Sequence, residues 1–562
     1  MPLLNNLTQG VLPTGKTLCF YHSAMKTHVL LALLLVSSNL LFAQYIQFKW
    51  QNCFNNPLYD NASDIVATGD GYLLVGSSLI SPPIPPDVYD NDIWLIKIGL
   101  DGEFIWQKML GGSNSDEPVQ IVPSSDGNYF IIAVSTSYDG DIASNPYPTS
   151  SNFWIVKIDG EGNIIWERIT GGNGGDISYR GTPTLDGGIL AIGWTTSSDG
   201  DISQYFGSYD LWLVKLDSLG GKVWDFTAGT AGAEFGQAVI ETSDKGALAG
   251  GATLMIGGGN IECIPHAETA DAILFKLDST GNVQWQHCYG GSDYEGIIAL
   301  LEVEDGYIFG AYATSNDGDV AGSGYHEGYN HLGDNTHDIW MVKVDFNGNI
   351  IWSKCFGGSR EEYVHKIFQT SDGNLVAFGT TNSFDGDVVG NHSIPGHHDI
   401  WMFKVSSSGN LIWQRSIGGI GDELINPGVI QVSDADYAVV SSIEGGSNDD
   451  ITCGNYPEIN WGIWACGITD TTFVGLPDYD KISENIGLYP NPATDYLFVD
   501  IPKEFSLQHA VLQVVDANGK IVMEQKTLSY TLQLNVGQHK PGLYLLKLTN
   551  EKVFATKRFI VD

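Results

Sequence analysis

The sequence predicts an all-β protein: a seven-bladed β-propeller of four-stranded blades, its N-terminal strand closing the last blade, followed by a small C-terminal β-sandwich. Three observations predict this. A Trp-bearing segment recurs seven times at a spacing of roughly sixty residues. Asp-Gly turns recur between them at Asp70, Asp126, Asp186, Asp305 and Asp372, each followed by an apolar run. The two ends of the repeat array are out of phase, as a closed ring requires.

The composition fits. Of 562 residues, 43% are hydrophobic, enough for a packed core, and 68 are Gly. The 66 acidic against 27 basic side chains give a net charge of −39, which excludes nucleic acid and anionic membrane surfaces as partners, since phosphate binding needs Lys/Arg clusters. At the start, Lys26 precedes the apolar run Val29–Ala43, a basic residue and a short hydrophobic stretch ending in a small residue. That pattern predicts a secretory signal over residues 1–43, cut after Ala43, with residues 1–24 ahead of Met25 a spurious extension. The run is shorter than the about 20 residues a membrane-spanning helix needs.

Residues 44–470 form the repeat array. One series reads Asp92-Ile93-Trp94-Leu95-Ile96-Lys97, with its third position at Trp94, Trp154, Trp212, Ile273, Trp340, Trp401 and Trp464. A second places Trp at 50, 106, 166, 224, 285, 352 and 413. Each unit therefore holds four strands: A before the Asp-Gly turn, B after it, C with the first Trp and D with the second. Trp50 arrives before any complete unit, and unit seven stops after Trp464 with no strand D. In a ring, Tyr45–Phe54 supplies that missing strand; a linear stack would leave two raw edges.

The cysteines repeat the phase relation. Cys288 follows its strand-D Trp by three residues, as Cys53 follows Trp50, while Cys263 and Cys453 sit ten and eleven residues before their strand-C positions. The spacing predicts Cys263–Cys288 within blade four and Cys53–Cys453 across the seam, with Cys355 and Cys466 as buried thiols.

Strand order puts the A–B and C–D turns on one face and the B–C and D–A loops on the other. The strand-C lysines (Lys97, Lys157, Lys215, Lys276, Lys343, Lys404) recur too often for catalysis, and they are expected to pair with the acids of the Asp-Gly turns. The length variation lies on the B–C/D–A face, so a ligand site is expected there or at the mouth of the central channel. That face carries four Asp-Gly-Asp motifs: Asp139 and Asp141, Asp199 and Asp201, Asp317 and Asp319, Asp385 and Asp387. Two readings are open for them. Carboxylates two apart around a flexible Gly resemble half of a calcium site, and Asp side chains also cap turns through their own backbone. His326, His331, His337, His392, His397 and His398 cluster in blades five and six, where Glu327 or Asp334 would complete a zinc site; their spacing matches no zinc motif, which favours surface loop residues. No catalytic grouping stands out, and among 56 acids in residues 44–470 no carboxylate pair is distinctive.

From residue 471 to 485 the pattern lapses into a linker. In residues 44–470, 56 acids face 16 bases (net −40); in 486–562, 7 acids face 8 bases (net +1). The last stretch holds Tyr489-Pro490-Asn491-Pro492, the turn Asp516-Ala517-Asn518-Gly519-Lys520, the segment Gly542-Leu543-Tyr544-Leu545-Leu546 and the ending Lys557-Arg558-Phe559-Ile560-Val561. In these motifs and their order it resembles the type A sorting domain of the type IX secretion system. The resemblance implies a β-sandwich read by the secretion translocon and sorting machinery, and a protein that is secreted or attached to the outer surface of the outer membrane. The function expected is that of a monomeric, non-enzymatic binding or adhesion protein for an extracellular glycan or protein, without a cofactor unless the Asp-Gly-Asp loops hold calcium. The alternative is a secreted polysaccharide-acting enzyme with its site in the B–C loops of blades four to six.

Overall fold

The computed structural model describes residues 46–55, 59–79, 91–254, 259–264, 266, 269–329, 335–424, 428–444, 449–453, 461–471, 486–503, 505, 507, 510–516, 520–526, 529–549 and 554–561. The expected signal segment, the linker from 472 to 485, the turn residues 517–519, His331 and Asp334 lie outside them.

Six antiparallel sheets have the order A-B-C-D. Blade 1 is Asp60–Thr68, Gly71–Leu79, Asn91–Gly99 and Phe104–Leu110; blade 2 is Asp116–Pro123, Tyr129–Ser135, Asn152–Ile158 and Ile164–Thr170. Blade 3 is Asp176–Pro183, Ile189–Thr195, Asp210–Leu216 and Lys222–Ala228; blade 4 is Ala233–Glu241, Ala247–Leu254, Asp271–Leu277 and Val283–Tyr289. Blade 5 is Glu295–Val303, Gly306–Ala313, Asp338–Val344 and Ile350–Phe356; blade 6 is Glu362–Gln369, Leu375–Thr381, Asp399–Val405 and Leu411–Ile417. Blade 7 has a strand A in two pieces, Glu423–Leu424 and Val429–Gln431, then Asp436–Glu444 and Trp461–Asp470, and its outermost strand is Ile46–Phe54 from the other end of the array.

Strand A is innermost and touches the A strands of its neighbours. Strands B and C, covered on both faces by adjacent blades, are buried almost throughout, which is why they read as unbroken apolar runs. Strand D is outermost and alternates between exposed and half-buried positions, as in Phe104–Leu110. Seven buried apolar clusters fill the seven gaps between sheets, one per neighbouring pair. The seventh joins Ala438, Val440, Ile463 and Ala465 of blade 7 to Ile65, Leu74 and Ile96 of blade 1, so the ring is closed.

The seam reproduces the internal joints residue for residue. Each strand-C indole donates to the residue after its strand-D Trp: Trp94 to Gln107, Trp154 to Glu167, Trp401 to Gln414. Across the seam, Trp464 donates to Gln51 at 3.3 Å. Four strand-D Trp side chains lie over the C–D turn glycine of the next blade, Trp106 over Gly162, Trp166 over Gly220, Trp224 over Gly281 and Trp352 over Gly409, and Trp50 lies over Gly102 of blade 1 in the same way. Both expected disulfides are present, Cys263–Cys288 and Cys53–Cys453, and Cys355 and Cys466 are buried free thiols.

The C-terminal unit packs Gly487–Tyr489, Tyr496–Asp500 and Thr531–Asn535 in one sheet, and Ile521–Lys526, Val511–Asp516, Gly542–Thr549 and Phe554–Val561 in a second. Leu497, Val499, Leu512, Val514, Leu534, Leu546 and Leu548 fill its core. In its motifs, Tyr489 stacks on Phe498, Asn491 accepts the Ile560 N–H at 2.8 Å, and Tyr544 stacks on Phe559. Pro490 and Pro492 follow cis peptide bonds, and Gly542 opens the strand that carries Tyr544.

Candidate functional site

Most of the polar chemistry is repeated, and repetition marks a scaffold. On the A–B/C–D face the expected ion pairs form in six blades: Lys97–Asp70 at 2.5 Å, Lys157–Asp126 at 2.7 Å, Lys215–Asp186 at 2.8 Å, Lys276–Asp244 at 2.9 Å, Lys343–Asp305 at 2.7 Å and Lys404–Asp372 at 3.3 Å. In blade 7, Gly467 occupies the lysine position, and Lys49 of the closing strand takes Asp436 at 2.6 Å instead.

On the opposite face the first acid of each Asp-Gly-Asp ties the preceding D–A loop. Asp139, Asp199, Asp317 and Asp385 accept the N–H groups of Ser113, Asn173, Ser292 and Ser359 at 2.7–2.9 Å. The Asn173 N–H holds the Asp199 carboxyl below its ordinary range, as the Ser359 N–H does for Asp385. Of the second acids, Asp141 accepts the Gly111 N–H, Asp201 binds Arg168 and the Thr170 hydroxyl, Asp319 approaches His266, and the main-chain N–H of Asp387 donates to the Gly357 carbonyl at 2.8 Å. The first acids, Asp141 and Asp201 thus spend carboxylate oxygens on the loop that precedes them.

A third device lies between blades. Asp176, Glu295, Glu362 and Glu423 begin their A strands, are buried, and accept backbone N–H groups from Gly172, Gly291, Gly358 and Gly419. Burial pushes these carboxyls up, to about 6, 7, 8 and 9. One such group in a cleft would suggest a general acid. Recurrence at the same place in successive blades makes them braces.

The histidines divide the same way. His266, His326 and His392 each place Nδ1 2.9 Å from the first acid of strand C: Asp271, Asp338 and Asp399. Those hydrogen bonds raise the His326 and His392 imidazoles above their usual range. Glu327 is held by Asn316, and His337 packs against Tyr363. His398 pairs with Asp422 at 3.2 Å. His397 is different: its Nδ1 lies 3.3 Å from Asp422 and 3.8 Å from Glu444 but has no hydrogen-bond partner.

The symmetry breaks most sharply in the central channel. Every A strand of blades 1 to 6 carries a register shift near its middle, and the residue just past it is Asp64, Gln120, Arg180, Ala238, Ala299 or Lys366. Bulges re-aim side chains. Here one structural position carries an acid, an amide, two small residues and two cations. Gln120, Arg180, Lys366 and the adjacent His365 line a cavity of about 220 Å³ whose remaining wall is largely aliphatic, with Ile240, Ile298 and Leu300. Asp64 is buried and feels both Lys366 and Arg180; it accepts the Ile121 N–H at 3.3 Å through Oδ2, while Oδ1 has no hydrogen-bond partner. Burial pushes Asp64 up to about 6 and His365 down to about 3, and lowers Arg180 to about 10. Burial lowers Lys366 as well, so at neutral pH the lining holds the Arg180 cation and a neutral His365 imidazole, and the Asp64 carboxylate acts on both Arg180 and Lys366.

Sequence reasoning missed this group because it followed what recurs. The signal that finds it is the reverse: aligning the A strands on their flanking apolar residues exposes one column whose chemistry changes from blade to blade.

Comparison with known proteins bears on the C-terminal unit. Residues 487–562 match the secretion system C-terminal sorting domain. That domain marks proteins exported by type IX secretion, so this one is secreted or anchored at the cell surface and engages that secretion machinery. No curated protein matches the chain. Among solved structures, Drosophila Plexin A in complex with Semaphorin 1b is 8% identical, over 75% of this chain and 87% of that one, with a TM-score of 0.38. The GH93 α-L-arabinofuranosidase of Fusarium graminearum with arabinobiose is 10% identical over 61% of this chain and 91% of its own, TM-score 0.36. The Penicillium chrysogenum α-L-arabinanase complexed with arabinobiose gives 10%, 61%, 91% and 0.37. At these similarities they carry no argument about ligand or activity.

Proposed function

We propose that this exported propeller is a non-enzymatic binding protein whose central channel takes an acidic group, a carboxylate on an extracellular ligand. The observation that carries the reading is the divergent ring position: Arg180 and Lys366, with Gln120 and His365, line a cavity whose remaining wall is largely aliphatic. Residues 44–470 carry 16 bases against 56 acids, and 14 of the 16 lie elsewhere. Arg180 is a cation at one level of the channel, and Lys366, which burial lowers, would regain its charge beside an incoming carboxylate, a pairing that selects an anion by charge and a small one by volume. Arg180 offers a planar fork for bidentate contact and Lys366 a point charge. The elevated carboxyls favour binding over hydrolysis, because they are spent in repeated hydrogen bonds between blades.

The test is an array of carboxylated and neutral oligosaccharides probed with the intact protein, alongside an assay for released reducing ends. Retention of carboxylated members without turnover, weakened about tenfold or more by Arg180→Gln or Lys366→Gln, is expected. Release of reducing ends that is lost on replacing one B–C loop acid would establish the enzyme reading instead.

A further inference from the structure

The outlier among the histidines marks a second site. We infer that His397, Asp422 and Glu444 form a binding site for a divalent transition metal, zinc foremost, at the junction of blades 6 and 7. Three segments meet there: the B–C loop of blade 6, the loop leading into strand A of blade 7, and the end of strand B of blade 7. Among the described residues, these are the one group of three His, Cys, Asp or Glu side chains whose ligand atoms all lie within 4.8 Å of one another.

The distances have the right scale. Zinc bound at about 2.0–2.1 Å by nitrogen and oxygen in a tetrahedron puts neighbouring ligand atoms about 3.3–3.4 Å apart. His397 Nδ1 stands 3.3 Å from Asp422 Oδ2 and 3.8 Å from Glu444 Oε2. Neither contact is a hydrogen bond, and Nδ1 is sealed from solvent, so a buried polar atom is left unsatisfied beside two carboxylates. At the repeated sites, by contrast, the imidazole Nδ1 of His266, His326 and His392 is hydrogen-bonded to its acid. A cation that accepts the His397 lone pair resolves the anomaly.

The surroundings hold the ligands in place. Glu423 pairs with Ile443 and Leu424 with Ser442, which sets Asp422 beside Glu444, and the Glu444 N–H donates to the Asp422 carbonyl at 3.0 Å. The His398 N–H binds Asp422 Oδ1 at 2.7 Å and its Nδ1 lies at 3.2 Å from the same atom, leaving Oδ2 for the metal. Side chains that are 20–30% exposed leave a fourth position open to water. Calcium fits poorly, since it takes six to eight oxygens and this site offers a nitrogen and two carboxylates.

The intact protein, dialysed against micromolar zinc and then assayed for bound metal, should retain one ion per chain. Cobalt in its place should give the visible absorption of a four-coordinate ion. His397→Ala and Glu444→Gln should each weaken zinc binding by at least about tenfold. His326→Ala and Arg180→Gln should leave it unchanged, which separates this site from the channel. Because Glu444→Gln alters a half-exposed side chain, it tests the site even if His397→Ala fails to fold. Absence of stoichiometric zinc, full retention in either ligand variant, or displacement by equimolar calcium would overturn the assignment.

Discussion

At the scale of single residues, what a carboxyl does here depends on whether its neighbours share its position around the ring. Glu295, Glu362 and Glu423 occupy one such position, and burial lifts them to about 7, 8 and 9. The folded protein keeps protons that the unfolded chain releases near its ordinary carboxylate range, about 4.3. Their stabilising contribution is therefore complete below that range and is lost as pH rises through 7 to 9. Asp186, Asp244 and Asp372 act in the opposite sense: burial raises them, but hydrogen bonds from their lysines and threonines prevail and hold them low, so their contribution is lost in acid. The melting temperature should peak in mildly acidic buffer and fall from pH 6 to 9.5. Glu362→Gln, which keeps a neutral hydrogen-bonding group, should flatten that fall in scanning calorimetry. An unchanged slope would mean the group does not carry its proton into the folded state.

At the scale of the element, the D–A loops that lead into blades 2 to 7 each begin with a Gly that the side-chain oxygens of buried Asp, Asn or Glu leave no room to replace. A Cβ on Gly357 would sit 2.5 Å from the Glu362 carboxylate and 2.8 Å from that of Asp338, whereas Gly373, in an A–B turn with φ +77, has nothing within 4 Å. Gly357→Ala should cost about 1–3 kcal/mol through overpacking, and Gly373→Ala about 1 kcal/mol through a left-handed backbone alone. Urea midpoints should rank them in that order. These elements also show how far sequence reading reaches. Strand count, the disulfides, the lysine–aspartate pairs and the seam were all readable because a repeated backbone forces repeated residues. The channel was not, because Asp64, Arg180 and Lys366 are isolated charges in otherwise ordinary strands, and only the register shift aligns them. Nor was the grouping of His397 with Glu444, which are 47 positions apart and meet only through the pairing of Glu423 with Ile443.

At the scale of the whole molecule, the ring is closed at one blade whose strands come from the two ends of the array. Six blades are each made from one continuous stretch of chain, but blade 7 joins Ile46–Phe54 to Trp461–Asp470, and its apolar contacts, Trp50 over Gly102 and Lys49 with Asp436 all depend on that pairing. Fraying of the N-terminal strand would expose the strand-C edge and loosen two inter-blade clusters together. Cys53–Cys453 ties that strand down across 400 residues, while Cys263–Cys288 spans only 25 within one blade. Chain-entropy reasoning puts the larger closure about 2–3 kcal/mol above the smaller, since the term grows with the logarithm of the loop. Removing the seam bridge by Cys53→Ser with Cys453→Ser should therefore lower the unfolding midpoint more than Cys263→Ser with Cys288→Ser. It should also make residues 46–54 exchange their amide hydrogens ahead of the other strands, whereas loss of the blade-4 bridge should leave them protected. Equal midpoints together with unchanged protection of that strand would show that the apolar seam alone keeps the ring shut.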